Sequence, residues 1–300
     1  MTHPLHEPSE FRRYPVTRPR RWVAWPGVLA LIPFAALLIA FCLAPALWVL
    51  ISSFLNADGA WQASAWLDNY REVLSSRFYL LGFVNSLHIA VWSSVFGLII
   101  ALAAAGSLHK VPGRLRDGVV AFTNMSANLT GVPLAFAFII IMGANGALTL
   151  ILRRWGWLDD FNLYSRNGLV LIYTYFQIPL GVLLLYPAFN GLDEEWQHAA
   201  ALLGARTWQY LLHVVLPVLA PAVLGTFILL LANAMGAYAS AYALTTGNFN
   251  LVTVRIASLV SGDIFLQPNL AAALSVLLVL LLALIAVVNH TLLRRHREER

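Results

Sequence analysis

Residues 191–221 read GLDEEWQHAAALLGARTWQYLLHVVLPVLAP, a stretch too polar to lie inside a membrane span and too regular to be an unstructured loop. Asp193 is placed to cap a helix whose first turn holds Glu194 and Glu195, where acidic side chains meet the positive end of the helix dipole. The helix then presents Ala199, Ala200 and Ala201, small side chains over which another protein surface can come close to the backbone. Gly204 supplies the permissive φ/ψ at which a helix stops and the chain turns. A second helical segment is expected over 207–215. Pro217, which has no N–H to donate, is expected to end it and to mark the return toward the bilayer. The stretch reads as a rigid helical knob.

Everything around the knob is apolar. Of the 300 residues, 60% are hydrophobic and 11% charged, with a mean hydropathy of +0.73, well outside the habit of soluble globular domains. About 20 apolar residues are needed to cross roughly 30 Å of hydrocarbon. Apolar runs bounded by charges give six expected spans, 25–54, 83–108, 119–143, 169–189, 220–244 and 270–293. The expected fold is therefore an all-α membrane protein with the knob between the fourth and fifth spans. The first run carries Pro26, Pro33 and Pro45, so a kink or an interfacial start is expected there. It is too long for a signal-peptide core and lacks a small-residue cleavage site, so it reads as an uncleaved span. The single cysteine, Cys42, sits in that run and has no intrachain partner for a disulfide.

Loop charge sets the expected direction. Arg12, Arg13, Arg18, Arg20 and Arg21 precede the first span, Lys110, Arg114 and Arg116 follow the second, Arg206 lies in the knob, and Arg294, Arg295, Arg297 and Arg300 end the chain. Opposed to these are Arg71, Arg77, Arg153, Arg154, Arg166 and Arg255. The balance puts both termini and the knob in the cytoplasm. The organisation is then a basic tail over 1–21, a six-span domain over 22–293 with the knob at 190–219, and a second basic tail over 294–300. The tails read as topology determinants resting on anionic headgroups rather than as nucleic-acid arms.

Every Asp, Glu, Lys and Arg falls in an expected tail or loop. A pump driven by protons or cations needs an ionisable group in its pathway, so the driving energy is expected from elsewhere. No zinc-protease helix, nucleophile elbow or Walker A loop occurs, and the histidines lack metal-ligand spacing. No catalytic residue and no metal ligand is assigned. Polar residues within the spans include Asn124, Asn128, Gln177, Asn233, Tyr238 and Tyr242, candidates to line a path for a polar solute. The competing use of such residues is interhelical hydrogen bonding. His88 is read as a hydrogen-bonded packing residue.

The knob resembles the permease subunits of binding-protein-dependent ABC importers. Their loop signature is Glu-Ala-Ala, three variable residues, Gly, nine variable residues, an Ile-like residue, one variable residue, then Leu-Pro. Here His198, Ala199 and Ala200 are followed in register by Gly204, Val214, Leu216 and Pro217. Leu67-Asp68-Asn69-Tyr70 and Asn85-Ser86-Leu87 are similar to the branch serving spermidine and putrescine, iron, thiamine and aminophosphonates. The resemblance implies a non-catalytic inner-membrane subunit that binds no cofactor itself. Its implied partners are cytoplasmic ABC ATPase subunits, where ATP and magnesium act, a second permease that is either this chain again or a homologue, and a periplasmic solute-binding protein. It further implies that Glu195, His198, Ala199, Ala200, Gly204, Leu216 and Pro217 couple the bundle to the ATPase. His198 stands where the family has Glu. Glu195, three residues earlier on the same helical face, is expected to act as the acidic anchor. The alternative is a secondary transporter or channel that works without an ATPase.

Overall fold

Backbone polar groups in hydrocarbon must be satisfied within the protein, and a helix does this inside one segment. The computed structural model describes residues 25–55, 67–156, 162–261 and 266–298, and every regular element among them is helical. The basic tail over 1–21 and the last two residues of the C-terminal tail lie outside the described residues. Six stretches are long and apolar enough to cross a membrane: Leu31–Ser52, Arg77–His109, Val132–Arg154, Arg166–Phe189, Thr207–Gly236 and Pro268–Asn289.

The chain divides into two units, 1–48 and 49–300. In the first, α1 (Trp25–Leu38) passes through Pro33 without a break and enters a π turn, Ile39–Leu43. The Ala44 N–H bonds to the Ile39 carbonyl five residues back, and α2 (Ala44–Ser52), whose residues from Val49 on belong to the second unit, follows with Pro45 as its second residue. The expected kink is thus a widened turn just ahead of a proline. One extra residue in the turn relieves the clash of the ring with the preceding carbonyls.

The second unit holds α3 (Asp68–Ser75), α4 (Arg77–His109), α5 (Arg114–Asn128), α6 (Val132–Met142), α7 (Ala147–Arg154) and α8 (Arg166–Phe189). After these come α9 (Glu194–Leu202), α10 (Thr207–Tyr210), a π turn Leu211–Val215, α11 (Leu216–Gly236), α12 (Ala239–Thr245), α13 (Val252–Ser261) and α14 (Pro268–Glu298). Helix α4 packs most extensively on α8. In hydrocarbon no hydrophobic force draws helices together, so close approach and hydrogen bonds must do so. Gly97, Ala101 and Ala105 recur every fourth residue on α4, giving it the small-xxx-small pattern. A Cβ on Gly97 would lie 2.9 Å from Gln177 Cβ, and one on Gly181 would lie 2.7 Å from Ala101 Cβ. Gln177, fully buried on α8, ties three helices at this contact. Its Oε1 accepts from Ser93 Oγ (3.1 Å) and Ser94 Oγ (2.9 Å), and its Nε2 donates to the Leu230 carbonyl (2.8 Å), the amide orientation that satisfies both ends.

The structure departs from the sequence expectations at four places. The expected third span, 119–143, is two helices. Gly131, at φ +76°, interrupts the chain between Asn128 and Val132, and Pro133, which suits a first helical turn, starts α6. The apolar crossing stretch moves to Val132–Arg154, and Arg153 and Arg154, expected in a loop, form the last turn of α7, where positive charge suits the helix dipole. The expected fifth span, 220–244, breaks after Gly236. Pro217 ends nothing: helix runs unbroken over Thr207–Gly236. The π turn just upstream, where the Leu216 N–H bonds to the Leu211 carbonyl, makes room for the ring as the turn before Pro45 does. Helix α14 likewise continues through Arg294 into the expected C-terminal tail.

Candidate functional site

The knob is built from two short helices and a tight turn. Asp193 Oδ1 accepts from the Glu195 N–H at 2.9 Å and starts α9, the capping geometry expected of that residue. At the other end the Gly204 N–H bonds to the Ala201 carbonyl and the Ala205 N–H to the Ala200 carbonyl, both at 3.0 Å, with Gly204 at φ +76°. That pair of bonds is a Schellman turn, whose left-handed residue is ordinarily glycine. The spacing from Ala200 to Gly204 therefore has a backbone cause, since the alanine's carbonyl is the one the turn closes onto. Gln209 Oε1 then accepts from the Arg206 N–H at 2.7 Å and opens α10.

Glu195, His198 and Ala199 are exposed and Ala200 is half-buried. Leu202 and Leu203, which the sequence reading passed over, are 90% and 87% exposed at the tip. Two large apolar side chains held this far out mark a contact surface. In sequence the apolar character of these leucines is indistinguishable from that of the spans, and only the fold sets them on the tip. Leu216 is 42% exposed and Pro217 half-buried, a full helical segment away from Ala200. The structure so separates the seven coupling candidates into five on α9 and its turn and two on the rod behind them.

The knob is fixed to the bundle. Val215 and Leu219 pack with Ala101, Ala105, Leu108, Val182, Leu185 and Phe189 in one apolar cluster. The Phe189 ring lies against Gly106, where an added Cβ would be 3.2 Å away. His109 Nδ1 is 3.2 Å from Asn190 Oδ1.

The polar candidates gather at the two helix breaks. The Gly131 carbonyl accepts from Ser240 Oγ at 3.2 Å, and Tyr173 Oη donates to the Ala237 carbonyl at 2.8 Å. A backbone leaving the helix inside a span must find such partners. Asn124 and Asn128 lie one turn apart on α5, exposed, each donating to the carbonyl four residues back. Asn233 and Tyr242 are also exposed and Tyr238 is half-buried, with the two tyrosine rings 5.3 Å apart. Gln177 is not among them, since its amide is consumed in the core. His88 differs from expectation as well: its buried Nδ1 has no hydrogen-bond partner among the described residues and its ring lies 6.3 Å from that of Trp92.

At the opposite end of α4 from the knob, a relay joins three elements. Arg166 Nη2 donates to Asn85 Oδ1 (2.7 Å), Asn85 Nδ2 to the Asn250 carbonyl (3.1 Å), and Asn250 Nδ2 to the Phe78 carbonyl (2.8 Å). Arg255 Nε donates to Asn250 Oδ1 at 2.9 Å, with its guanidinium 4.8 Å from the centre of the Phe78 ring. Burial lowers the Arg255 pKa, and Tyr79 works against that. The relay was not visible in sequence, because its hydrogen-bonded partners lie up to 172 residues apart.

Residues 93–298 match the family model described as the binding-protein-dependent transport system inner membrane component. The chain is 26% identical over 259 residues to the spermidine/putrescine transport system permease protein PotB of Haemophilus influenzae, over 84% of this chain and 89% of that one. It is 26% identical over 218 residues to the thiamine transport system permease protein ThiP of the same organism, over 72% of this chain and 37% of that one. Among solved structures it is similar in fold to a chain of a bacterial ABC transporter involved in the import of the acidic polysaccharide alginate. There the TM-score is 0.71 and the identity 15%, over 90% of this chain and 96% of that one. A chain of the MetNI methionine ABC transporter in an inward-facing conformation aligns with a TM-score of 0.55 and 19% identity, over 72% of this chain and 94% of that one.

Proposed function

Because this chain belongs to the family of inner-membrane components of binding-protein-dependent transport systems, a non-catalytic multi-pass permease of an ABC importer, we propose that residues 191–217 are the lever by which a separate ATPase drives it. The observation that carries this reading is the Schellman turn at Gly204. It holds Ala199, Ala200 and the two exposed leucines on a rigid corner, and rigid elements pass displacement on where a loop would absorb it. Glu195 and His198 supply the polar contacts of the corner, and Leu202 and Leu203 its apolar ones. Leu216 and Pro217 act behind the contact, where the rod enters the bundle.

Membership displaces the rival reading of a carrier or channel that works alone. By the family's arrangement, two permeases pair, this chain with itself or with a homologue. The knob and both termini face the cytoplasm, and a periplasmic binding protein delivers solute to the other side. ATP and magnesium act in the ATPase. Its closure would rock the two bundles between inward-facing and outward-facing states. Asn124, Asn128, Asn233, Tyr238 and Tyr242 line the path. The support is physical: Asn233 is an exposed amide inside a crossing stretch, where facing lipid is costly, and the other four stand beside the two helix breaks that flank the crossing stretches. Likeness to PotB supports a polyamine-like or related organic solute. Tyrosine faces and amide oxygens suit a cation in transit without trapping it as a fixed carboxylate would.

Reconstitution of the chain with its ATPase, second permease and binding protein tests the proposal. ATP-dependent uptake is expected, together with labelling of an Ala200→Cys variant only from the cytoplasmic face. Labelling from the outer face, or uptake by the chain alone, refutes it.

A further inference from the structure

A groove of about 510 Å³ lies between the C-terminal end of α4 and the start of the 207–236 rod. One wall is Ile99, Leu102, Ala103 and Gly106, at helical spacing on α4. The facing wall is Leu212, Val215, Leu216 and Leu219, at helical spacing on the rod. Ile99 is 59% exposed and Leu212 52%, and both walls belong to stretches apolar enough to cross the membrane. The groove therefore borders hydrocarbon along its length.

Its mouth is different. Ser107 and His109 come from α4 and Lys110 from the residue that caps it, Asp193 and Gln197 from the knob, and Thr207 and Tyr210 from the rod. His109 is engaged with Asn190 and the Asp193 carboxylate with the Glu195 N–H. Lys110 is exposed and forms no ion pair among the described residues. An apolar slot along the bilayer with one uncommitted cation at its polar end has the shape of a lipid.

We propose that this groove holds one acidic phospholipid, an acyl chain between the two walls and the phosphate on Lys110. A peptide in the slot would bring backbone groups that hydrocarbon cannot satisfy, whereas an acyl chain brings none. Basic pockets between membrane helices at the cytoplasmic boundary bind such headgroups. Asp193 and Gln197 at the mouth belong to the knob, so the lipid bridges bundle and lever and stiffens the joint between them. An inner-leaflet lipid rests on the cytoplasmic placement of the knob. Labelling at Ala200→Cys decides that placement separately, and lipid retention in detergent does not depend on it.

The assembled transporter, stripped of lipid in detergent, is titrated with dioleoyl phosphatidylglycerol or dioleoyl phosphatidylcholine and weighed by native mass spectrometry. One phosphatidylglycerol per copy of this chain is expected, favoured over phosphatidylcholine by about fivefold, the contribution of a single cation at a headgroup. Lys110→Gln is expected to abolish the preference while both lipids still bind. Ala103→Phe, which places a ring in the groove from an exposed position, is expected to lose both. Lys110→Gln is a surface change that leaves assembly intact, so a preference retained in that variant overturns the proposal. So does a Leu212→Cys variant that cross-links to the second permease, because protein would then fill the groove.

Discussion

Gly204 shows how a single backbone angle can carry a mechanism. A Cβ there would meet nothing within 4 Å among the described residues, so the demand for glycine is conformational rather than steric. A left-handed backbone costs an ordinary residue roughly 1–2 kcal/mol, and asparagine less. Gly204→Asn is therefore expected to transport nearly as the parent does. Gly204→Val should lose most solute uptake while membrane insertion stays normal, the ATPase continuing to turn over without import. Paired assays of hydrolysis and uptake separate the two outcomes. Asp193→Ala removes the cap of α9 and should cost about 1 kcal/mol of local helix stability, read as faster amide exchange in 194–202. At Glu195 the question is charge: Glu195→Gln should weaken association with the ATPase, and unchanged co-purification and transport would show that the carboxylate is not the anchor.

Among the elements, the pairing of α4 with α8 is the contact that positions everything else. It depends on the absence of side-chain volume. Gly97→Val would force atoms against Gln177, an overpacking of about 1–3 kcal/mol, and Gly181→Leu would meet Ala101 in the same way. Both are expected to lower the thermal midpoint of the purified transporter, whereas Gly118→Val, where a Cβ has no neighbour within 4 Å among the described residues, should leave it unchanged. Gln177→Leu should cost a similar amount, through loss of the serine and Leu230 bonds. These elements were unevenly legible in sequence. The cap at Asp193, the turn at Gly204 and the helix from Thr207 follow from local rules and stand as expected. The break at Gly131 had a signal, glycine two residues ahead of Pro133, but an apolar average runs straight across it. The embedding of Gln177 had none, because Ser93 and Ser94 lie more than eighty residues away in the chain. A residue type says that a polar group must be satisfied, and only the fold says by what.

For the molecule as a whole, the described part of the six-span chain has two polar ends with different work. At one, the knob presents apolar leucines on a fixed corner. At the other, Arg166 and Arg255 are strung on asparagines that tie α4, α8 and the segment before α13 together. Asn250→Ala cuts that relay at two bonds, from its Nδ2 to the Phe78 carbonyl and from Arg255 Nε to its Oδ1, while the bond from Asn85 to the Asn250 backbone carbonyl survives. The variant is expected to transport less while coupling at the far end, judged by ATPase association, stays intact. The π turn at 211–215 joins the knob to α11, and it sets phase. Each residue of a helix swings the next by about 100°, so the extra residue stored there fixes which way the corner points relative to the face of α11 that bears Asn233. Deleting one residue from the turn would barely shorten the rod, yet it would aim the leucines at another side of the molecule. Length-preserving substitutions in this turn are accordingly tolerable in a way that insertions and deletions are not.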